Sequence, residues 1–132
     1  MVPAAEKLGV ELFLFAGSSI DPAAQLARHI VGDYRNQEEV LDFARQCDVV
    51  TFEHELIPFD VIREIENQGV KVFPSSRAFI YSQDKAAMRA KLVHFPGPAS
   101  RLIKEATDIS DFPVIAKAIR GGYDGRGVFK VD

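Results

Sequence analysis

Cysteine is nearly absent from this sequence, which also lacks a long apolar run and an excess of positive charge. Among the 132 residues only Cys47 carries a thiol, so no disulfide can form within the chain and nothing suggests a metal site built on thiolates. No apolar run approaches the roughly 20 residues of a membrane span, and the N-terminus lacks the basic-then-apolar order of a signal peptide. These absences suit a reducing cytoplasm, where we expect the protein.

The overall charge is weakly acidic, with a formal net charge of −3. Such a chain has no global attraction to nucleic acid or to an anionic membrane, and neither is expected as a partner. Hydrophobic residues make up 47% and charged residues 27%, which is typical of a soluble globular protein. Cys47 ends an amphipathic segment, and we expect a small buried hydrophobe there rather than a catalytic thiol.

Segments typical of strands and helices alternate over the first 75 residues or so. This order predicts an α/β fold, a parallel sheet with helices on its faces. Asn36 and Asp84 are expected to cap helices, and Asp21 and Pro22 to open a short one. The predicted strands are 10–16, 29–31, 48–53, 70–74, 99–103, 114–119 and 128–131, and the predicted helices end at Gly9 or cover 22–27, 37–47, 57–68, 75–83 and 84–95.

A break in the pattern occurs at the Phe-Pro-Gly-Pro segment, residues 95–98. After it the sequence predicts a strand–loop–strand hairpin rather than further alternation. We therefore expect two domains, 1–95 and 96–132. The chain opens on what looks like the back end of a helix, so we expect the first strand of the first domain to be missing.

Four glycines lie within seven residues in the predicted hairpin loop. Glycine permits a positive φ and close approach of the backbone to a ligand, and successive N–H groups in such turns bind anions. Arg120, Arg126 and Lys130 add positive charge near the loop, against Asp124 alone. A plain hairpin needs only one or two glycines, so this cluster favours a phosphate ligand. The four are Gly121, Gly122, Gly125 and Gly127.

Lys117 lies inside the apolar strand that leads into the loop, on the same face as Ile115 and Ile119. A buried ammonium needs a partner, and a bound anion would supply one. The alternative is an edge strand whose lysine extends to water. The loop precedes a strand rather than a helix and has no GK[ST], so it is neither a Walker loop nor a dinucleotide fingerprint. It is closer to the glycine loop of kinases, which covers nucleotide phosphates.

The segment AKAIRGGYDGRGVFKV resembles the nucleotide-binding loop of ATP-grasp enzymes. Within them it resembles the N5-carboxyaminoimidazole ribonucleotide synthetase family, the ATPase subunit of phosphoribosylaminoimidazole carboxylase. The segments HIVGDY, DVVTFEHELIP and VFPSSRAFIYSQDKAAMRAKL agree, so the resemblance covers nearly the whole chain. It implies a Rossmann-like parallel-sheet pre-ATP-grasp domain followed by the start of an ATP-grasp domain.

The resemblance also implies an enzyme, a ligase that forms a C–N bond. It would use ATP, Mg²⁺ and bicarbonate to carboxylate 5-aminoimidazole ribonucleotide in de novo purine biosynthesis, and the full-length protein would be a homodimer. Lys85 and Lys117 would contact ATP phosphates, under a loop closed by Gly121, Gly122, Gly125, Arg126 and Gly127. Tyr123, Asp124 and Arg126 would line the pocket for bicarbonate and the aminoimidazole, and Glu53 would lie at the substrate end of the first domain.

The sequence departs from the family pattern in three places. It lacks the glycine-rich turn after the first strand and the acidic Mg²⁺ ligands, so we expect the metal site outside these 132 residues. Leu56 stands where the family often has asparagine, which weakens the assignment of substrate contacts around Glu55. The piece alone is predicted to be inactive.

Two other functions remain open at this point. One is another ATP-grasp ligase, such as a formate-dependent glycinamide ribonucleotide transformylase, and the other is a non-catalytic nucleotide-binding module. An NAD-binding Rossmann protein is disfavoured, because GSSID after the first visible strand is not GxGxxG.

Overall fold

Helices and strands alternate along the first part of the chain, and a hairpin follows. The computed structural model of the protein describes residues 2–122 and 124–132, which divide into two compact units, the first ending at Ser76 and the second beginning at Arg77. The elements are α1 Val2–Leu8, β1 Phe13–Ala16, β2 Arg28–Val31, α2 Gln37–Ala44, β3 Val49–Val50, α3 Phe59–Asn67, β4 Lys71–Val72, α4 Ser76–Gln83, α5 Lys85–Lys91, a 3-10 turn at Ala106–Asp108, β5 Val114–Lys117 and β6 Val128–Val131.

Parallel strand pairs characterise the first unit. β1 pairs with β2, and β3 pairs with β4 in the register Val49 to Lys71 and Val50 to Val72. Parallel neighbours cannot be joined by a tight hairpin, so the chain must cross over, and α3 makes the crossover from β3 to β4. The α/β organisation predicted from the alternating pattern is confirmed.

The core of the first unit is centred on α3. Ile62 and Ile65 have no exposed surface at all, and Val61 beside them is also buried. Residues three and four apart lie on the same face of a helix, so one stripe of α3 packs inward. Full burial of such a side chain contributes about 1.5–3 kcal/mol each.

Helix α2 begins where the sequence predicts. The side chain of Asn36 accepts hydrogen bonds from the backbone N–H groups of Glu38 and Glu39. The carboxylate of Glu39 in turn accepts from the Asn36 amide and from the Asp33 N–H. This exchange of bonds satisfies donors that an uncapped first turn leaves open.

Two predicted elements are wrong. Residues 22–26 form turns instead of a helix, because the Asp21 carboxylate accepts a hydrogen bond from the preceding Ser18 N–H at 3.1 Å and does not cap forward. Residues 99–103 form no strand, because no other strand of the described chain pairs with them. A strand without a partner leaves its backbone groups unsatisfied.

The second unit carries an antiparallel hairpin. Val114 of β5 lies opposite Val131 of β6, and Lys117 lies opposite Val128. Each strand has four residues, and large apolar side chains on them are exposed, such as Ile115 at 56% and Phe129 at 63%. No helix within residues 2–122 and 124–132 is long and apolar enough to cross a membrane.

Candidate functional site

The glycine loop, residues 118–127, connects the two strands of the hairpin. Its base is closed by a hydrogen bond of 2.7 Å from the Ala118 N–H to the Gly127 carbonyl oxygen. The ladder itself stops one residue earlier, where Lys117 pairs with Val128. The first and last residues of the loop are therefore neighbours in space. The backbone conformation between them depends on the loop residues themselves.

Two of the glycines are required by the loop's own backbone. A Cβ at position 122 would stand 2.5 Å from the carbonyl oxygen of Arg126, which is closer than real side chains approach. A Cβ at position 127 would stand 2.9 Å from the Ala118 Cβ, on a backbone with φ of +70°. The loop thus folds tightly upon itself before any ligand is considered. Positive φ values also occur at Gly121, Asp124 and Gly125.

Three hydrogen bonds dock this loop on the start of α5. The Lys85 N–H donates to the Ile119 carbonyl oxygen at 3.0 Å, and the Lys85 ammonium donates to the Gly122 carbonyl oxygen at 3.1 Å. The Arg120 guanidinium donates through Nε to Oδ2 of Asp84 at 2.8 Å. Two of the predicted ATP-binding residues, Lys85 and Gly122, are therefore in direct contact.

Asp84 is the cap that the sequence predicts, and it has a second partner that the sequence did not reveal. One carboxylate oxygen accepts from the Ala87 N–H at 2.8 Å and the other accepts from Arg120. The Ala87 hydrogen bond, followed by that from Arg120, lowers the pKa of Asp84 below its usual value. The carboxylate is held in its charged form beside the loop.

The cations near the loop differ in what they contact. Arg120 is paired with Asp84, and the Lys130 ammonium lies 2.6 Å from a carboxylate oxygen of Asp132. Two of the three cations that the sequence places near the loop are therefore engaged by carboxylates. The expectation that Asp124 alone opposes them is wrong, because the partner carboxylates come from the N-cap of α5 and from the residue after β6.

Lys117 leads into the loop on an exposed face of the hairpin. The register places it beside Ile115, Val128 and Lys130, all of which are exposed. Its ammonium has no hydrogen bond or ion pair with any residue in 2–122 and 124–132. Lys117 has the apolar neighbours that the sequence predicts, but these side chains are exposed and not buried.

The remaining loop candidates are exposed. Asp124 and Arg126 both have solvent-exposed side chains in the turn that leads back to β6. Tyr123, predicted to line the substrate pocket, lies outside the described residues. No group of three or more His, Cys, Asp or Glu side chains in the described part of the chain could hold a metal ion.

Glu53 lies in the first unit, in a bend after β3, and its side chain is exposed. The neighbouring His54 accepts a hydrogen bond at Nδ1 from the Leu56 N–H at 3.2 Å. Its ring packs edge-on against Tyr34 at 5.0 Å between centroids, and the Arg35 guanidinium lies over that tyrosine. The segments that follow β2 and β3 therefore contact each other through side chains, next to the bend that carries Glu53.

Cys47 follows α2 and is half-buried. Its thiol donates to the Phe43 carbonyl oxygen at 3.6 Å, and burial raises the pKa of the thiol above its usual value. A thiol with a raised pKa is a poor nucleophile near neutral pH. The sequence predicts a buried side chain at this position, and the structure leaves it half-buried.

With the strand pairing and the loop in place, comparison with known proteins identifies the family. The model of the ribonucleotide synthetase preATP-grasp domain matches residues 1–83, well over half of the chain. This chain belongs to that family. The match covers the parallel strand pairs, the bend with Glu53 and helix α4 of the preATP-grasp domain.

The similarity to known proteins extends beyond residue 83 and reaches the glycine loop. The N5-carboxyaminoimidazole ribonucleotide synthase of Mycobacterium bovis is 37% identical over 134 residues, covering 95% of this chain and 31% of its own length. The chain therefore spans about a third of that relative.

Two solved structures cover almost all of this preATP-grasp chain. The N5-carboxyaminoimidazole ribonucleotide synthetase of Thermotoga maritima has a TM-score of 0.86 at 29% identity, over 98% of this chain and 36% of its own. The synthase of Aspergillus clavatus complexed with ATP has a TM-score of 0.78 at 28% identity, over 98% and 37%. The predicted α/β fold with the parallel strands of a pre-ATP-grasp domain is confirmed. The start of an ATP-grasp domain after it stays a prediction.

Proposed function

We propose that this chain is part of an ATP-dependent ligase that carboxylates 5-aminoimidazole ribonucleotide with bicarbonate in de novo purine biosynthesis. The observation that carries the proposal is the contact between the Lys85 ammonium and the Gly122 carbonyl, which brings a cation to the glycine loop. The Mycobacterium bovis relative is named for the product of this reaction, and the Aspergillus clavatus structure contains ATP.

The reaction would proceed in two transfers. A bicarbonate oxygen attacks the γ-phosphorus of ATP and ADP leaves, which gives carboxyphosphate. The exocyclic amine nitrogen of the aminoimidazole then attacks the carboxyl carbon, phosphate leaves, and the nitrogen loses a proton. Mg²⁺ would neutralise charge on the transferring phosphoryl group. We assign no residue of the described chain to the metal and place its ligands elsewhere in the longer protein.

The residue roles follow from charge and position. Lys85 and Lys117 would stabilise charge on the phosphates, because fixed cations lower the energy of a transferring phosphoryl group. The loop glycines would let the backbone approach the same phosphates, and Arg126 could clamp a carboxylate or a phosphate with two parallel hydrogen bonds. Tyr123 and Asp124 would line the substrate pocket. Glu53 follows a parallel strand, where open α/β sheets bind ligands.

The proposal also covers the domain boundary, the cellular location and the oligomeric state. We place the domain boundary at the Phe-Pro-Gly-Pro segment, which gives domains 1–95 and 96–132. The full-length enzyme would be a cytoplasmic homodimer. The 132-residue chain on its own would not catalyse the reaction. Hydrolysis of ATP by this chain that depends on 5-aminoimidazole ribonucleotide would contradict the last statement.

The role of Lys117 can be tested by ATP binding in the complete gene product. Lys117→Ala should weaken binding about tenfold or more, because a charge-assisted contact to phosphate contributes about 1.5–3 kcal/mol. Lys104→Ala is the matched control, since Lys104 is an exposed lysine distant in sequence from the loop. Equal affinities of the two variants would contradict the assignment of Lys117.

The amine substrate that the enzyme accepts distinguishes the proposed function from the two alternative functions. In the complete gene product, 5-aminoimidazole ribonucleotide with bicarbonate should stimulate ADP release, whereas glycinamide ribonucleotide with formate should not. The opposite preference would identify a transformylase. Binding of ATP without turnover on either amine would favour a non-catalytic nucleotide-binding module.

A further inference from the structure

Asp84 is the one buried charged residue of the described chain, with 8% of its surface exposed. Burial of a carboxylate is costly unless hydrogen bonds replace the lost water. Both oxygens of Asp84 have such bonds, one from the Ala87 N–H of its own helix and one from Arg120 at the start of the glycine loop. The first bond is an ordinary helix cap. The second reaches across 36 residues and needs a different explanation.

We propose that Asp84 is a positioning residue, which holds the start of the glycine loop beside Lys85 by means of Arg120. The inference rests on the proposed function, in which the loop and Lys85 act together on ATP phosphates. Asp84 itself would not touch the nucleotide. Its role would be to set where Lys85 and the loop backbone stand relative to each other before ATP arrives.

The pattern of contacts supports this role. Consecutive residues at the start of α5 meet consecutive residues of the loop, because Lys85 bonds through its N–H to Ile119 while Asp84 bonds to Arg120. The Asp84 side chain is 12% exposed and that of Arg120 is 70% exposed. The carboxylate is therefore the fixed partner and the guanidinium is held by it. Arg120 is thus assigned to tethering the loop and not to the ligand.

The tether matters because the contact of Lys85 with the loop is exchangeable. The Lys85 ammonium donates to the neutral Gly122 carbonyl at 3.1 Å. A phosphate oxygen is a stronger acceptor for an ammonium than a neutral carbonyl, so ATP can replace this bond. Once it is replaced, the Asp84–Arg120 pair and the Lys85 N–H bond to Ile119 still join the loop to the start of α5.

The first test compares Asp84→Asn with Arg120→Gln in the complete gene product. Asparagine caps a helix as well as aspartate does, so Asp84→Asn keeps the bond to Ala87 and removes the charge that holds Arg120. Hydrogen exchange of the Lys85 N–H, which is protected by its bond to the Ile119 carbonyl oxygen, should speed up about three- to tenfold in both variants, as for loss of a partly exposed charge-assisted bond. The double variant should be no worse than either single one. Arg101→Gln, which breaks the exposed Arg101–Asp111 pair, should leave the loop unchanged.

The second readout is the ATP dissociation constant. It should rise about three- to tenfold in Asp84→Asn and in Arg120→Gln, and Arg120→Lys, which keeps the charge, should recover part of the affinity. If Asp84 served only to cap the helix, a positive charge at position 120 would not recover the affinity for ATP. Unchanged exchange of the Lys85 N–H in Arg120→Gln, or effects of the two single variants that add in the double variant, would overturn the proposal.

The outcomes also separate this proposal from the proposed function. If the variants loosen the loop but the wild-type gene product binds no ATP, the tether is supported and the proposed function fails. If Asp84→Asn also speeds exchange throughout α5, the cap has been lost, and Arg120→Gln then decides the question because it leaves Asp84 in place.

Discussion

Gly122 stands against the backbone of its own loop. A Cβ at this position would have the Arg126 carbonyl oxygen as its nearest atom, at 2.5 Å, and the carbonyl carbon follows at 3.6 Å. A backbone group in a tight turn cannot swing aside as a flexible side chain can. The residue is therefore fixed by sterics, and it also supplies the carbonyl that accepts from Lys85.

Gly122→Ala should therefore open the loop and disrupt its docking on α5. We expect a loss of about 1–3 kcal/mol in the free energy of unfolding, as for other substitutions that force backbone shifts, together with weaker ATP binding. Urea unfolding and calorimetric titration would measure the two effects. Gly97→Ala is the control, because a Cβ there has its nearest contact at 3.7 Å and the backbone is not in the left-handed region. A Gly122→Ala variant as stable as Gly97→Ala would contradict the close approach of Gly122 to the Arg126 carbonyl group.

Single residues also show what the sequence could and could not disclose. Asp84 is recognisable as a cap, because it precedes a run of good helix formers. Its bond to Arg120 could not be read from the sequence, since the partner lies 36 residues away and no local pattern marks it. For Lys117, alternation along the strand correctly names its neighbours on the face, but it does not say whether that face is covered.

At the scale of elements, α3 holds the first unit together. Its inward stripe includes Ile62 and Ile65, which have no exposed surface. The periodicity that predicts this helix arises from the same residues that fill the core. Periodic burial is therefore why helices were easier to predict here than the short strands, whose lengths depend on how far a neighbouring strand runs alongside.

Ile65→Ala should destabilise the protein by about 2–5 kcal/mol, because it removes buried methyl groups and leaves a cavity. Ile65→Val should cost only about 0.5–1.5 kcal/mol for the same reason. Ile20→Ala provides the comparison, since Ile20 is 77% exposed and its truncation should have little effect. Chemical denaturation monitored by circular dichroism gives all three values. Similar losses for Ile65→Ala and Ile20→Ala would mean that α3 is not packed as described.

The elements that were predicted wrongly failed for identifiable reasons. The Asp-Pro pair at 21–22 is a frequent helix start, yet here Asp21 bonds back to Ser18 and the chain continues as turns. The apolar residues within 99–103 resemble a strand, yet Arg101 bonds to Ser110 and Asp111 instead of entering a ladder. At Asp21 a local side chain–backbone bond competes with the helix start. At 99–103 the cause is different, because no other strand of the described chain lies alongside to complete a ladder.

For the whole molecule, two aspartates tie stability to pH. Backbone hydrogen bonding from Ala87, followed by the bond from Arg120, lowers the pKa of Asp84. The N–H groups of Lys104 and Glu105 lower the pKa of Asp108 in the same way. A carboxyl group with a lowered pKa in the folded state stabilises that state fully above its ordinary pKa, about 3.9. This contribution is lost as the pH falls below that value and through the pKa of the folded state.

The free energy of unfolding should therefore fall as the pH is lowered from about 5 to about 2. The double variant Asp84→Asn/Asp108→Asn should show a flatter dependence, because neither amide can take up a proton in this range. Urea titrations at several pH values would measure both curves. A double variant with the same slope as the wild-type protein would show that other carboxyl groups control acid unfolding.

The distance along the chain between Asp84 and Arg120 has a last consequence, which concerns engineering. The cost of closing a flexible loop grows only with the logarithm of its length, so doubling the intervening segment would add only about 0.6 kcal/mol. Between α5 and β5 the only regular element of the described chain is the turn at Ala106–Asp108. A peptide tag or a fluorescent reporter could thus be inserted shortly after residue 97, and the added length would weaken the docking of the glycine loop on α5 very little.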